Sequence, residues 1–146
     1  MTFKTTATLC AVLTFCLAIG YLIAGGVMVA RWRIEPTDGV LLFGRRIGAS
    51  FLGLSVMFFL ARSIPSSPAR RALSSGALVT CSLLAGLGIY EFSAGRAAAP
   101  ILASAALEVL VALAFARHLI ADRRVASVDG RRGVVRQDAA DARYGS

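Results

Sequence analysis

The stretch TLCAVLTFCLAIGYLIAGGVMVA (residues 8–30) contains 23 residues and no charged side chain. A helix rises about 1.5 Å per residue, so roughly 20 apolar residues cross a hydrocarbon core of about 30 Å. This run is too long and too uniformly apolar for a helix of a small soluble core. It predicts a transmembrane helix near the start of the chain.

Three further runs have the same character, and they predict spans at residues 40–61, 72–92 and 97–119. Arg45 and Arg46 fall near the start of the second run, which we take to include them because the preceding VLLF is poorly suited to water. The whole chain is 57% hydrophobic and 16% charged, whereas soluble domains are about a quarter charged. The sequence therefore predicts an all-α integral membrane protein, with residues 1–120 forming an up-down-up-down four-helix bundle.

Lysine and arginine placement predicts the orientation of these spans. With four spans, the N-terminus, the second loop and the C-terminus share one side, and that side holds 11 of the 16 basic residues. Both termini are therefore expected to be cytoplasmic.

Residues 121–146 are polar and basic, with too little apolar content to fold alone. We expect a cytoplasmic tail that is disordered or lies on the inner membrane surface, and that is dispensable for folding. Its basic charge does not indicate nucleic-acid binding, because Tyr144 is its only aromatic residue and such binding needs a basic face with stacking aromatics.

The inventory of metal ligands is small. His118 is the single histidine, so neither a bis-histidine haem nor a di-iron site is expected. Cys10 and Cys16 are six residues apart, which places them on different faces of a helix, and Cys81 lies on another span. The sequence predicts no metal site and no cofactor.

The run ILASAALEVLVALAFA (101–116) keeps one ionisable residue, Glu108, near its middle. A carboxylate at the bilayer centre costs about 2.5–3.5 kcal/mol on insertion scales and normally faces the bundle interior. Glu108 shares a face with small residues, which predicts that it points inward.

Other polar residues are expected near Glu108 in the outer half of the membrane. Arg45 and Arg46 are its predicted ion-pair partners, and Glu91 competes for them at shallower depth. Tyr21 and Tyr90 are placed to hydrogen-bond either carboxylate. This predicted network is either a polar or proton-active site, with Glu108 and Glu91 as candidate catalytic acids, or an ion-pair network that fixes helix docking.

Small residues recur at four-residue spacing, as in Gly44-x-x-x-Gly48 and Ser82-x-x-x-Gly86. Such faces let helix backbones approach closely in lipid. The spacing predicts helix contact, either within the bundle or between subunits.

The segments RRIGASFLGLSVMFFLAR (45–62), SPARRAL (67–73) and LEVLVALAFARHL (107–119) resemble small bacterial four-helix membrane proteins of the DoxX-like group. The resemblance covers roughly residues 40–120. It implies a compact left-handed bundle in the bacterial inner membrane. Some members of that group are membrane subunits of quinone or thiol redox complexes. This sequence does not support direct electron transfer, because it contains no set of residues that would bind a redox metal.

Three function classes remain from the sequence. The favoured one is a non-catalytic subunit or scaffold, whose partners are membrane lipid and either other membrane proteins or further copies of this chain. The second is a membrane enzyme acting on a lipid-soluble substrate such as a quinone, isoprenoid or lipid. The third is a small transporter or channel.

Overall fold

The computed structural model describes the backbone of residues 2–144 and the side chains of residues 2–123. Within that part of the chain the backbone forms five helices and no strand. These are α1 (Phe3–Ile23), α2 (Gly25–Ala30), α3 (Asp38–Ala61), α4 (Pro68–Ser93) and α5 (Pro100–Tyr144). Helices α1, α3, α4 and the Pro100–Arg123 part of α5 are long and apolar enough to cross a membrane. The predictions of an all-α fold and of a multi-pass membrane protein are confirmed.

Hydroxyl side chains set where three of the helices begin. Thr2, Thr37 and Ser67 have extended backbones, and each side chain accepts a hydrogen bond from the backbone N–H three residues later. Such N-caps satisfy backbone donors that the first helical turn leaves unpaired. Helix α1 therefore begins at Phe3, before the predicted start at residue 8.

The first predicted span divides into two helices. Ala24 ends α1 with a non-helical backbone (φ −121°), and its N–H donates to the Gly20 carbonyl. Gly25 and Gly26 then open the six-residue helix α2. The break follows from the Ala-Gly-Gly sequence, because glycine has a low helix propensity.

The spanning helices form two antiparallel pairs. In the first pair, the Ser55 hydroxyl of α3 donates to the Ala11 carbonyl of α1 at 2.8 Å, and further along Gly48 lies against Ala18. Helices α1 and α3 therefore run in opposite directions. In the second pair, Gly88 of α4 faces Ala105 of α5.

The two pairs meet at one end of the bundle. A core cluster joins them there, consisting of Phe3, Ala7, Cys10, Ala11, Phe58 and Phe115. The Phe58 and Phe115 rings stack with centroids 5.7 Å apart. We call this the Asp122 end, since Asp122 lies beside it, and the opposite end, which holds Tyr21 and Glu91, the Glu91 end.

The two small-residue motifs have different environments. Gly44 and Gly48 are buried against Tyr21 of α1, so their close approach is intramolecular. Ser82 and Gly86 on α4 are exposed, and nothing lies within 4 Å of where a Gly86 Cβ would be. The first motif is therefore used inside the bundle, and the second faces outward.

Helix α5 continues past the predicted tail boundary at residue 120. Asp122, which the sequence assigns to the tail, is 2% exposed and belongs to the bundle. The predicted disorder or surface location of the tail stays a prediction, since the side chains of residues 124–146 lie outside the described part of the chain.

Replacing Gly48 tests the contact between α1 and α3. A Cβ there would lie 2.9 Å from Leu22 Cγ and 3.2 Å from the Ala18 carbonyl oxygen. We expect Gly48→Ala to lower the free energy of unfolding by about 1–3 kcal/mol through overpacking. The matched control is Gly53→Ala on the same helix, where nothing lies within 4 Å and alanine should add up to about 1 kcal/mol of helix stability. Thermal unfolding in detergent measures both, and equal effects would contradict the close packing.

Candidate functional site

A cavity of about 510 Å³ lies between the two helix pairs. All four spanning helices line it, together with Met28 of α2 and the following residues Arg31 and Trp32. The pairs are held together at the Asp122 end, where Phe58 belongs both to the core cluster and to the cavity wall. Tyr21 and Trp32 line it toward the Glu91 end. The cavity is thus a gap between two hairpins joined at one end.

The cavity wall is mainly apolar. Leucine, methionine and aromatic side chains from α1 and α3 face leucine, alanine and valine side chains from α4 and α5 across it. Tyr21 and Phe51 stack with ring centroids 6.1 Å apart, which fixes one aromatic side of the wall. A cavity of this size and lining is typical of a binding site for a small molecule.

Glu108 is the single carboxylate among the lining residues. It is half-buried on α5, with Ser104 one turn away and Cys81 on the facing helix α4, and both of these also line the cavity. Neither of the two ion pairs found among residues 2–123 involves Glu108. Its carboxylate therefore faces the cavity without a cationic partner from the described chain.

The predicted pairing of Glu108 with Arg45 or Arg46 needs correction. Both arginines are exposed on α3, and neither makes an ion pair within the described residues. The reason is the face of the helix: Gly44 and Gly48 turn toward α1, and the two arginines between them point away from it.

Glu91 has a different partner from the predicted one. Arg96 donates to the Glu91 carboxylate through Nε at 2.6 Å and through a terminal nitrogen at 3.1 Å. Gly95, whose φ is +71°, turns the chain back after α4 so that Arg96 reaches the helix end. These hydrogen bonds raise the pKa of the Arg96 guanidinium, so the pair stays ionised.

The two predicted tyrosines also separate. Tyr21 is buried and lines the cavity with Glu108. Tyr90 is exposed, and the Arg96 guanidinium lies 5.0 Å from its ring centre. The predicted network therefore divides into Glu108 with Tyr21 in the cavity and Glu91 with Arg96 and Tyr90 at the helix end. The catalytic roles of Glu108 and Glu91 stay predictions.

Sequence reasoning missed a polar cluster at the Asp122 end. The Arg70 guanidinium donates hydrogen bonds to both carboxylate oxygens of Asp122, one of them from Nε at 2.9 Å. One turn earlier on α5, the His118 ring lies 2.9 Å from the Thr6 hydroxyl of α1. The sequence does contain a signal for the Arg70–Asp122 ion pair. Asp122 follows His118 by four residues on one helix face, and Arg70 lies in the first turn of the helix that pairs with α5.

The described residues offer little for a metal. Across residues 2–123, no group of three His, Cys, Asp or Glu side chains lies close enough together to hold one. The cavity itself contains Glu108 and Cys81 as the sole side chains of these types. Its chemistry is that of one carboxylate surrounded by apolar and aromatic groups.

Neutralising Asp122 tests the missed ion pair. Asp122 and Arg70 side chains are 2% and 17% exposed, so Asp122→Asn leaves a largely buried guanidinium without its counter-charge. Such one-sided removal costs about 3–5 kcal/mol, and removing both partners costs less. We expect Asp122→Asn to lower the melting temperature in detergent strongly and the double variant with Arg70→Gln to recover part of the loss.

Two truncations provide an independent check of the same pair. Truncation after Ile120 removes Asp122 and should behave like the single variant, whereas truncation after Arg123 should not. If both truncations left the melting temperature unchanged, the ion pair would carry no stability.

No protein-family model, no curated protein and no solved structure matches this chain.

Proposed function

We propose that this protein binds a lipid-soluble molecule in the cavity between its two helix pairs. The observation that carries the proposal is the cavity of about 510 Å³ with Glu108 as its single carboxylate. Ligand sites in proteins are concave, mostly apolar and supplied with a few polar groups that fix orientation. This cavity has that composition.

The Glu108 carboxylate has no ion-pair partner among the described residues, so the ligand is expected to provide one. A buried polar group without a partner costs free energy, and a charged one costs more. A molecule that offers Glu108 a hydrogen-bond donor or a positive charge removes that cost on binding. The expected ligand therefore combines an apolar body with one such polar group.

The sequence favours a scaffold role, whereas the cavity favours the second class, in which the protein acts on a lipid-soluble molecule. Gly44 and Gly48 supported a subunit contact, but they pack against α1 of the same chain. The exposed Ser82 and Gly86 face on α4 still supports the scaffold role, which is therefore our second candidate. A homo-oligomer or a complex in mild detergent that is disrupted by Gly86→Leu would favour it.

Binding in this cavity is compatible with catalysis and with transport. In an enzyme Glu108 would serve as the general acid toward a quinone, isoprenoid or lipid. In a transporter it would carry a proton or cation. Both versions require that the cavity be occupied first, so binding is the step to test.

Filling the cavity should abolish binding. Gly76 lines the cavity, and nothing lies within 4 Å of where its Cβ would be, so Gly76→Leu places a side chain in the space. We expect it to remove most of the binding of a neutral apolar probe, Nile red, measured by quenching of Trp32, the single tryptophan of the chain and a cavity-lining residue.

The matched control is Gly86→Leu on the same helix. Gly86 has equal space around it but is not among the cavity-lining residues, so probe binding should be retained. Native mass spectrometry of the extracted protein provides a second readout, with a bound small molecule expected in the unmodified protein and absent from Gly76→Leu. Equal probe binding by both variants, with no co-purifying molecule, would contradict the proposal.

We further propose a location in the bacterial cytoplasmic membrane with up-down-up-down spans and both termini cytoplasmic. The 11-to-5 division of basic residues between the two sides supports it. A reporter active only in the periplasm should give no signal when fused after Ser146. The same reporter inserted after Gly95, in the loop between α4 and α5, should be active. The reverse pattern would overturn the orientation.

A further inference from the structure

The other residues that line the cavity restrict which chemical class of ligand can bind beside Glu108. Glu108 and Arg31 are the acidic and the basic residue among those that line the cavity. Arg31 is exposed and follows α2, toward the Glu91 end. Arg31 makes no ion pair with Glu108, and neither does any other cationic side chain among residues 2–123.

Four aromatic residues line the same cavity, Tyr21, Trp32, Phe51 and Phe58. Aromatic faces attract cations through the negative potential above the ring, and this attraction grows when the cation is desolvated. Met28 and Met57 add polarisable thioethers to the lining. A carboxylate among aromatic rings is a favourable environment for an organic cation with its charge spread over an apolar body.

A small hydrated metal ion is a poorer match for this wall. Such ions take six or more oxygen ligands, whereas the cavity wall supplies few. Thr14, one of its hydroxyl residues, already donates to the Cys10 carbonyl at 2.7 Å. An apolar wall would not compensate the ion for the water molecules that it loses on entering the cavity.

We infer that the ligand of this cavity is a lipophilic monocation, held by the Glu108 carboxylate and the surrounding aromatic rings. This inference rests on the proposed binding function and names its ligand class. A neutral hydrogen-bond donor such as a quinol would also meet Glu108, but it would leave the charge of the carboxylate uncompensated. The discriminating property is therefore the sign of the ligand charge.

Two probes of nearly the same shape separate charge from size. Tetraphenylphosphonium and tetraphenylborate are both apolar tetraphenyl ions and differ in sign. Titration of each into the protein in a nonionic detergent, followed by the fluorescence of Trp32 at the cavity wall, measures both affinities directly. The Gly76→Leu variant supplies the background from partitioning into the micelle.

The carboxylate is tested by Glu108→Gln, which keeps the size of the side chain and removes its charge. The substitution removes the attraction between the carboxylate and the cation, so we expect tetraphenylphosphonium affinity to fall about tenfold or more, which corresponds to about 1.4 kcal/mol. The matched control is Glu91→Gln, which removes the other glutamate of the spanning helices, one that pairs with Arg96 and does not line the cavity. Its affinity for the cation should be unchanged. Melting temperatures establish that both variants are folded.

The outcomes separate the two proposals. The inference holds if the unmodified protein prefers the phosphonium, and Glu108→Gln loses that preference while Glu91→Gln keeps it. The inference fails if both ions bind alike, or if Glu108→Gln binds the cation as well as the unmodified protein does. In that case binding of neutral Nile red that is sensitive to Gly76→Leu would leave the proposed function standing. If no probe gives a signal that Gly76→Leu removes, both proposals fail.

Discussion

The Phe3 ring joins the two halves of this protein. It belongs to α1, and it contacts the edge of the Phe115 ring and the His118 ring of α5, with centroids 6.5 and 5.5 Å apart. The Arg70 guanidinium of α4 lies 4.8 Å from its centre. Lipid tails are as apolar as leucine, so apolar surface alone drives helices together weakly in a membrane. Contacts of defined geometry such as these must therefore hold one pair of helices to the other.

Ion pairing strengthens the same end of the bundle. Arg70 is held in place under Phe3 by Asp122, so the α4–α5 salt bridge also orients the cation that meets the α1 ring. The Thr6 and His118 contact adds a second polar link between α1 and α5. These interactions and the stacked phenylalanine rings of the core cluster lie close together in the structure, and no other hydrogen bond, ion pair or aromatic contact among residues 2–123 links one pair to the other. The cavity occupies the rest of the interface between the pairs.

Residue size explains why the space stays open. Within each pair, small residues bring the backbones together: Gly48 meets Ala18 in one pair, and Gly88 meets Ala105 in the other. Between the pairs, large side chains such as Phe51 and Met57 of α3 line the gap on one side, and small residues such as Gly76 and Ser104 line it on the other. The cavity is thus the space that the small residues of α4 and α5 leave unfilled opposite the large side chains of α3.

The sequence was sufficient for features that depend on one helix at a time. Length and hydropathy identified four spans, because crossing a hydrocarbon core requires a fixed number of apolar residues. The partners of the charges were not predictable in this way. Depth in the membrane alone predicts that Arg45 pairs with Glu108, whereas pairing also depends on which face of α3 meets α1. The polar neighbours of Asp122 place it in the tail by composition, whereas its burial depends on Arg70, 52 residues away in the chain.

A comparison of three carboxylates shows why Glu108 is the functional candidate. Glu91 and Asp122 each receive two hydrogen bonds from one arginine, so the fold itself accounts for their charge. Glu108 lies between them in depth, where water is least able to solvate a charge, and no arginine of the described chain pairs with it. Insertion of such a group costs about 2.5–3.5 kcal/mol, and the packing of α5 would be served as well by an apolar side chain. Since no residue of the described chain pairs with Glu108, the partner that we propose for it is a proton or a ligand in the cavity that it faces.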